Sequence, residues 1–218
     1  MAEDFWPPVS LSVRVAILSG IIVFIFGTLA ARLLARKKFR GRLILETLFI
    51  LPLVLPPSVV GFLLIVIFGK NSPVGRGIEW VFQQPVMFTW WAAVIASVVV
   101  AFPLMYQSAK TGFEEIDSDI ENAARVDGAD EWKVFTGVTI PLAVKSIVAG
   151  AILSFARALG EFGATLMFAG NIPGKTQTIP TAIYVAMDSG NMEMAWMWVG
   201  TMIVISFAML MLVHFIRD

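Results

Sequence analysis

The 218-residue sequence has no cysteine, one histidine and two tyrosines, and only 15% of its residues are charged. Without cysteine there are no disulfides, thiolate metal sites or cysteine nucleophiles. The lone histidine, His214, offers no imidazole cluster to a metal; near the end of the last apolar run it reads as an interfacial residue. No Ser/His/Asp constellation or paired-carboxylate site stands out, and Asp117, Asp119 and Glu121 are expected on a solvated face rather than around a cation. Sixteen basic and sixteen acidic residues leave zero net charge, so nothing marks a nucleic-acid footprint. The charge deficit is the most informative shortage, because soluble domains carry about 25%. What replaces charge is apolar surface, 58% of residues at a mean hydropathy of +0.81. The chain is expected to be an all-α, polytopic membrane protein.

Five runs are long enough for a bilayer core, which takes about 20 helical residues. They lie at 9–35, 44–69, 88–109, 141–169 and 194–216, and together make one transmembrane domain over 1–218. Acidic Glu3 and Asp4 precede the first run and basic residues follow it, so it reads as a retained span rather than a cleaved signal. A loop with Lys70, Arg76 and Glu79 joins the second and third. Another, rich in Gly, Pro and Thr, leads from the fourth into an amphipathic piece near 179–187. Arg36, Lys37, Lys38, Arg40, Arg42, Lys110, Arg125, Lys133 and Lys145 gather on one side, which the positive-inside rule makes cytoplasmic. The N-terminus is then outside, the C-terminus inside. Trp6, Trp80, Trp90, Trp91, Trp196 and Trp198 fall near the outer boundary, as an anchoring belt would.

Between the third and fourth runs lies a charged island at 113–141. Asp117 or Ser118 is placed to cap a short helix with Ile120, Ala123 and Ala124 on one side. Gly128 stands where a left-handed helix terminator is wanted. Asp130 is placed to cap a second helix carrying Trp132 and Phe135 as neighbours, and Pro141 suits the first turn of the next helix. Two short helices and a glycine corner outside the membrane make a knob for a partner to grip.

Inside the membrane, LPLVLPPSVVGFLLI carries Pro56-Pro57, which removes two donors and breaks the second span partway. Such breaks line cavities or are buried in protein. Pro56, Pro57 and Ser58 are therefore candidates to border a translocation path; a purely structural kink is the alternative. In ARALGEFGA, Arg157 and Glu161 are one turn apart. They form a packing ion pair or supply positive potential to an anion path, with Gly163 and Thr165 following. Gly160 and Gly163 permit close helix approach. The run Ala169-x-x-x-x-Gly174-Lys175-Thr176 fits a relaxed phosphate-loop pattern but follows a membrane span and contains Pro173. It is rejected as an ATP site.

Glu121-Asn122-Ala123-Ala124-x-x-x-Gly128 with Ile140-Pro141 resembles the EAA loop of ABC-importer permeases, Asn122 displacing one alanine. With LPLVLPPSVVGFLL and FARALGEFGATLMFAGNIPGKTQTIPTAIY, the chain is similar to molybdate ABC-transporter permeases over about 9–187. Sulfate and thiosulfate permeases share the Gly-Glu-Phe-Gly stretch. The resemblance implies a homodimer in the inner membrane, two cytoplasmic ABC ATPase subunits and an extracytoplasmic oxyanion-binding protein, with lipid around it and no nucleic acid. It implies ATPase coupling through Glu121, Ala123, Ala124, Gly128, Trp132, Phe135 and Pro141. It also implies that the chain is not an enzyme and holds no cofactor, ATP and Mg residing in the partner. The expected function is import of molybdate, tungstate included, by alternating access. Sulfate import, a passive anion channel and an intramembrane enzyme using Arg157 and Glu161 are the alternatives.

Overall fold

A computed structural model describes residues 2–37 and 39–217, of which 42–217 and 2–34 supply the helices. Among the described residues there is no strand. Four helices are long and apolar enough to cross a membrane: Asp4–Leu34, Trp90–Glu114, Glu131–Leu159 and Met192–Leu212. The bent pair described below makes a fifth crossing if its two helices together form one broken span.

Helix α1, Ala2–Leu34, begins earlier than the run at 9–35, because Pro7 and Pro8 sit in its opening turns, where missing donors cost little. Its inner face, Val9, Ser12, Ala16, Ser19 and Val23, repeats every three or four residues. Chain order continues with α2, Arg42–Val54, and α3, Pro57–Phe68. The two axes are bent by 119° at Leu55-Pro56, so the proline pair turns the chain back sharply. The loop expected at 70–87 contains a helix, α4, Pro73–Phe82. Ser72 caps it by accepting the Gly75 N–H at 2.8 Å, and Pro73 stands at its first turn. The Ser-Pro pair was the available sign.

Helix α5, Trp90–Glu114, is the mast of the bundle. Ala92, Ala93, Ala96, Ala101 and Ala109 are buried along it, small enough for α1 to lie against one side and the later span against another. Gly27 of α1 meets Met105 so closely that an added Cβ would stand 2.8 Å from Cγ.

The island folds as α6, Ser118–Val126, and α7, Glu131–Val134. The latter runs without interruption into α8, Ile140–Leu159, through a π-helical stretch at Phe135–Thr139. Pro141 stands in the first turn of α8, as its type suits, although α8 is continuous with α7. It has no N–H for the preceding turn, and the chain widens there, the Ile140 N–H reaching the Phe135 carbonyl five residues back.

The run at 141–169 is also not one helix. It ends at Leu159, crosses Gly160–Phe162 and resumes as α9, Gly163–Phe168. After a loop, α10, Ile179–Asp188, occupies the amphipathic piece, and α11, Met192–Arg217, forms the last span. The Ile179 N–H donates to Ser12 Oγ at 2.7 Å, tying α10 to α1. The tryptophans divide. Trp6, Trp80, Trp91 and Trp196 are exposed, whereas Trp198 is buried, stacks on Phe5 and donates to its carbonyl at 3.1 Å. Packing rather than anchoring accounts for Trp198. The side chain of His214 lies outside the described residues.

Helices α3 and α9 touch through glycine. A Cβ at Gly61 would stand 2.9 Å from Met167 Cβ and 3.1 Å from Ala164 Cα. Replacing Gly61 by valine is expected to cost about 1–3 kcal/mol as overpacking, lowering the thermal midpoint of the detergent-purified protein by several degrees. Gly77→Ala, with open space around it, is expected to leave that midpoint unchanged or slightly raised.

Candidate functional site

Two groups of residues stand out, at different depths. The first is the island. Asp117 caps α6 through the Asp119 N–H at 2.9 Å, and Asp130 caps α7 through the Lys133 N–H at 2.8 Å. Between them Gly128 has φ +88, the left-handed conformation expected of it. Ile120, Ala123, Val126 and Trp132 are exposed, and Ala124 is half-buried. The Trp132 and Phe135 rings are neighbours at 6.1 Å. Apolar side chains thus cover a polar helix pair on its outer surface, which marks a contact site. Arg125 joins the two helices by donating to Glu131 at 2.6 Å; that carboxylate raises the Arg125 guanidinium above its ordinary range.

Glu121 is not on a solvated face. It is 2% exposed and is enclosed by the chain's own cations. Arg36 donates to it at 2.6 Å, Thr139 Oγ1 at 2.6 Å, and Arg32 and Arg125 lie at 3.7 and 3.8 Å. Arg36 also donates to the Ile116 carbonyl. Arg32 stacks over Phe135, 5.4 Å from the ring centre. One carboxylate thereby fastens α6 to the end of α1 and to the π turn that opens α8. Sequence pattern hides this because Arg36 is 85 residues away. A second network behaves similarly: Arg42 and Lys110 each lie 2.8 Å from Glu46, joining α2 to α5.

The second group surrounds the two helix breaks. Gly163 opens α9 directly against Pro57, where an added Cβ would come within 2.7 Å of the proline Cβ. Glu161, nearly fully buried, accepts the Ala164 N–H at 2.8 Å and receives Arg157 at 2.7 Å. One carboxylate therefore caps the resumed helix and neutralises an arginine inside the span, as intramembrane charge requires. The residues grouped with a path differ in access. Pro56, Pro57 and Ser58 reach the surface and Arg157 is partly exposed, while Glu161 and Thr165 are enclosed by this chain. Gly160 makes no close contact with another element; Gly163 does.

The Gly174-Lys175-Thr176 run is a loop in which the amides of Lys175, Thr176 and Gln177 turn onto the Ile172 carbonyl at 2.9–3.1 Å. Thr176 is buried, its hydroxyl accepting the Ile172 N–H at 2.9 Å, so it cradles no phosphate. Among the described residues no three His, Asp or Glu side chains are placed to hold a metal.

A broken helix pair, a membrane-embedded Arg–Glu pair and an extramembrane knob describe a transport subunit. Residues 23–217 match the model for binding-protein-dependent transport system inner membrane components, and the chain belongs to that family. It is 66% identical to YvgM of Bacillus subtilis over 98% of this chain and 94% of that protein, whose name proposes a molybdenum transport system permease. It is 42% identical to the molybdenum transport system permease protein ModB of Escherichia coli, over 88% of this chain and 84% of that one. An inward-facing structure of the MetNI methionine ABC transporter has the same fold, with a TM-score of 0.77 at 16% identity over 100% and 96% of the two chains.

Arg36→Ala is expected to strand the Glu121 carboxylate and cost up to about 3 kcal/mol, the partly exposed arginine and its neighbours softening a larger buried-pair penalty. Glu121→Gln is expected to cost less. The double variant should fall clearly short of the sum in thermal unfolding of the purified protein.

Proposed function

We propose that the chain is the membrane-spanning half of a molybdate importer, working as a pair of identical copies. The island lies in the cytoplasm and seats on an ABC ATPase subunit, one for each copy, while an extracytoplasmic protein delivers the oxyanion to the opposite face. ATP and Mg belong to the ATPase. Tungstate, of the same shape and charge, is a second substrate. The observation that carries the molybdate reading is the 66% identity, over nearly the full chain, to a protein named for that transport.

Physical reasoning supports the remainder. A tetrahedral dianion does not enter hydrocarbon, since even one bare charge costs many kcal/mol there. Five crossings leave little interior for a polar route, so the route runs between two copies. The exposed Ile120, Ala123 and Trp132 give a partner its grip. Glu121 sits behind that grip and passes its movement to α1 and α8 through Arg36 and Thr139. The proline and glycine breaks, with Arg157 beside them, border the route. Closure of the ATPase pair draws the two islands together and opens the route outward; its release reopens it inward.

The direct test is ATP-dependent uptake of labelled molybdate into vesicles holding the assembled complex, with sulfate in excess as competitor. Uptake that unlabelled molybdate suppresses and equal sulfate leaves standing is expected. Sulfate accumulating as readily would move the assignment to sulfate, and uptake without ATP would make the protein a channel. Ala123→Trp is expected to abolish co-purification of the ATPase subunit and to reduce uptake at least about tenfold, because the bulky ring stands between two close surfaces.

A further inference from the structure

One surface of the bundle is polar where its neighbours are apolar. Between α5 and α8, toward the end that carries the island, runs a groove of about 500 Å³, open on one side. Gln107, Ser108 and Thr111 line it from α5, and Lys145, Ser146 and Leu153 from α8. These helices lie within two of the candidate spans.

The serines are placed by close packing. Ser108 covers Gly150 and Ser146 covers Gly112, each so tightly that a Cβ on the glycine would stand 2.6 Å from the serine Cβ. Packing explains small side chains there but not hydroxyls, since alanine would fit as well. It explains neither Gln107 nor Thr111. Among the described residues, none of the four side chains of Gln107, Ser108, Thr111 and Ser146 has a hydrogen-bond partner within the chain. Lipid does not supply one either: an unpartnered amide or hydroxyl costs about 4–8 kcal/mol on transfer from water to a hydrocarbon. Such groups face water or a polar ligand.

The groove also points somewhere. Ser146, Leu153 and Arg157 are seven and eleven residues apart, close to two and three whole turns, and so share one face of α8. Arg157 therefore stands about 16 Å further along the same face, at 1.5 Å per residue. Glu115 and the internally engaged Lys145 also line the groove.

We propose that this groove is one wall of the inner leg of the oxyanion route, resting on the reading of the chain as a paired importer subunit. An anion leaving Arg157 passes the apolar step at Leu153 and meets the N–H and O–H donors of Gln107, Ser108, Thr111 and Ser146. These donors replace its water without holding it as a fixed cation would. The opposing wall is the same groove of the second copy.

Because the sequence has no cysteine, single thiols report on this directly. Ser108→Cys, Thr111→Cys and Ser146→Cys are each assembled with the ATPase in inside-out vesicles that enclose the binding protein and labelled molybdate, so that ATP added outside drives release of the label. They are treated with the anionic, membrane-impermeant reagent 2-sulfonatoethyl methanethiosulfonate. Ile21→Cys, on an exposed apolar face of α1, and the unsubstituted complex are the controls. The groove thiols are expected to react, to react more slowly with molybdate present, and, once carrying a sulfonate, to lose about tenfold or more of their own prior ATP-driven release by like-charge repulsion at low dielectric. Ile21→Cys should show neither protection nor loss. Groove thiols that stay unreactive, or that react with ATP-driven release intact, overturn the inference, and Thr111→Cys decides if the two packed serine positions fail to assemble. An unsubstituted complex that imports no oxyanion overturns the importer reading itself, and the groove falls with it.

Discussion

Two interrupted helices meet beside their breaks, Pro57 against Gly163, and the rest of the structure depends on that contact. A membrane gives no water to a broken helix, so its freed carbonyls and amides must be met by protein. Here Pro57 rests on Gly163, and Gly61 lies against Ala164 and Met167. Glu161 closes the remaining gap, capping α9 with one oxygen and holding Arg157 with the other. The outcome is a compact polar spot inside an apolar bundle, fixed on one side by two prolines without donors. Any residue larger than glycine at 61 or 163 would push the two breaks apart.

The island is the counterpart of this spot at the bundle's end. Its outer face is apolar and uncovered, and its inner face is charged and fully engaged. Glu121 makes that inner face, because three arginines and a threonine converge on a carboxylate that has no access to water. A force on α6 is therefore delivered to α1 and α8 and is not absorbed by a floppy loop. The π turn at Phe135–Thr139 contributes Thr139 to the lock and lets α7 continue into α8. The second helix of the knob and the span are one 29-residue rod.

Much of this was legible in the residues themselves. Pro56-Pro57 announces a break because two missing donors cannot be hidden in a helix, and the structure turns by 119° there. Gly128, Asp117 and Asp130 are local signals, and each performs the local task its type suits. Glu121 was misread because helix pattern sees only near neighbours, and on α6 it stands among polar residues that do face solvent. Its partner Arg36 belongs to a basic cluster whose members look alike. The break at Gly160–Phe162 was missed because an apolar run conceals it; only the use of Glu161 as a cap, decided by tertiary packing, makes it clear. Arg157 and Glu161 do pair, yet across a helix end rather than along one turn of a continuous helix.

The central claim is that the island moves as a rigid extension of the spans when the ATPase closes. Spin labels at Lys133→Cys, an exposed position on α7, would report the distance between the two islands of the proposed paired complex while it is transport-active. The account requires one distance without nucleotide and a distinctly shorter one with ATP bound and hydrolysis blocked. A single distance that ignores nucleotide, in a complex that still imports, would contradict it.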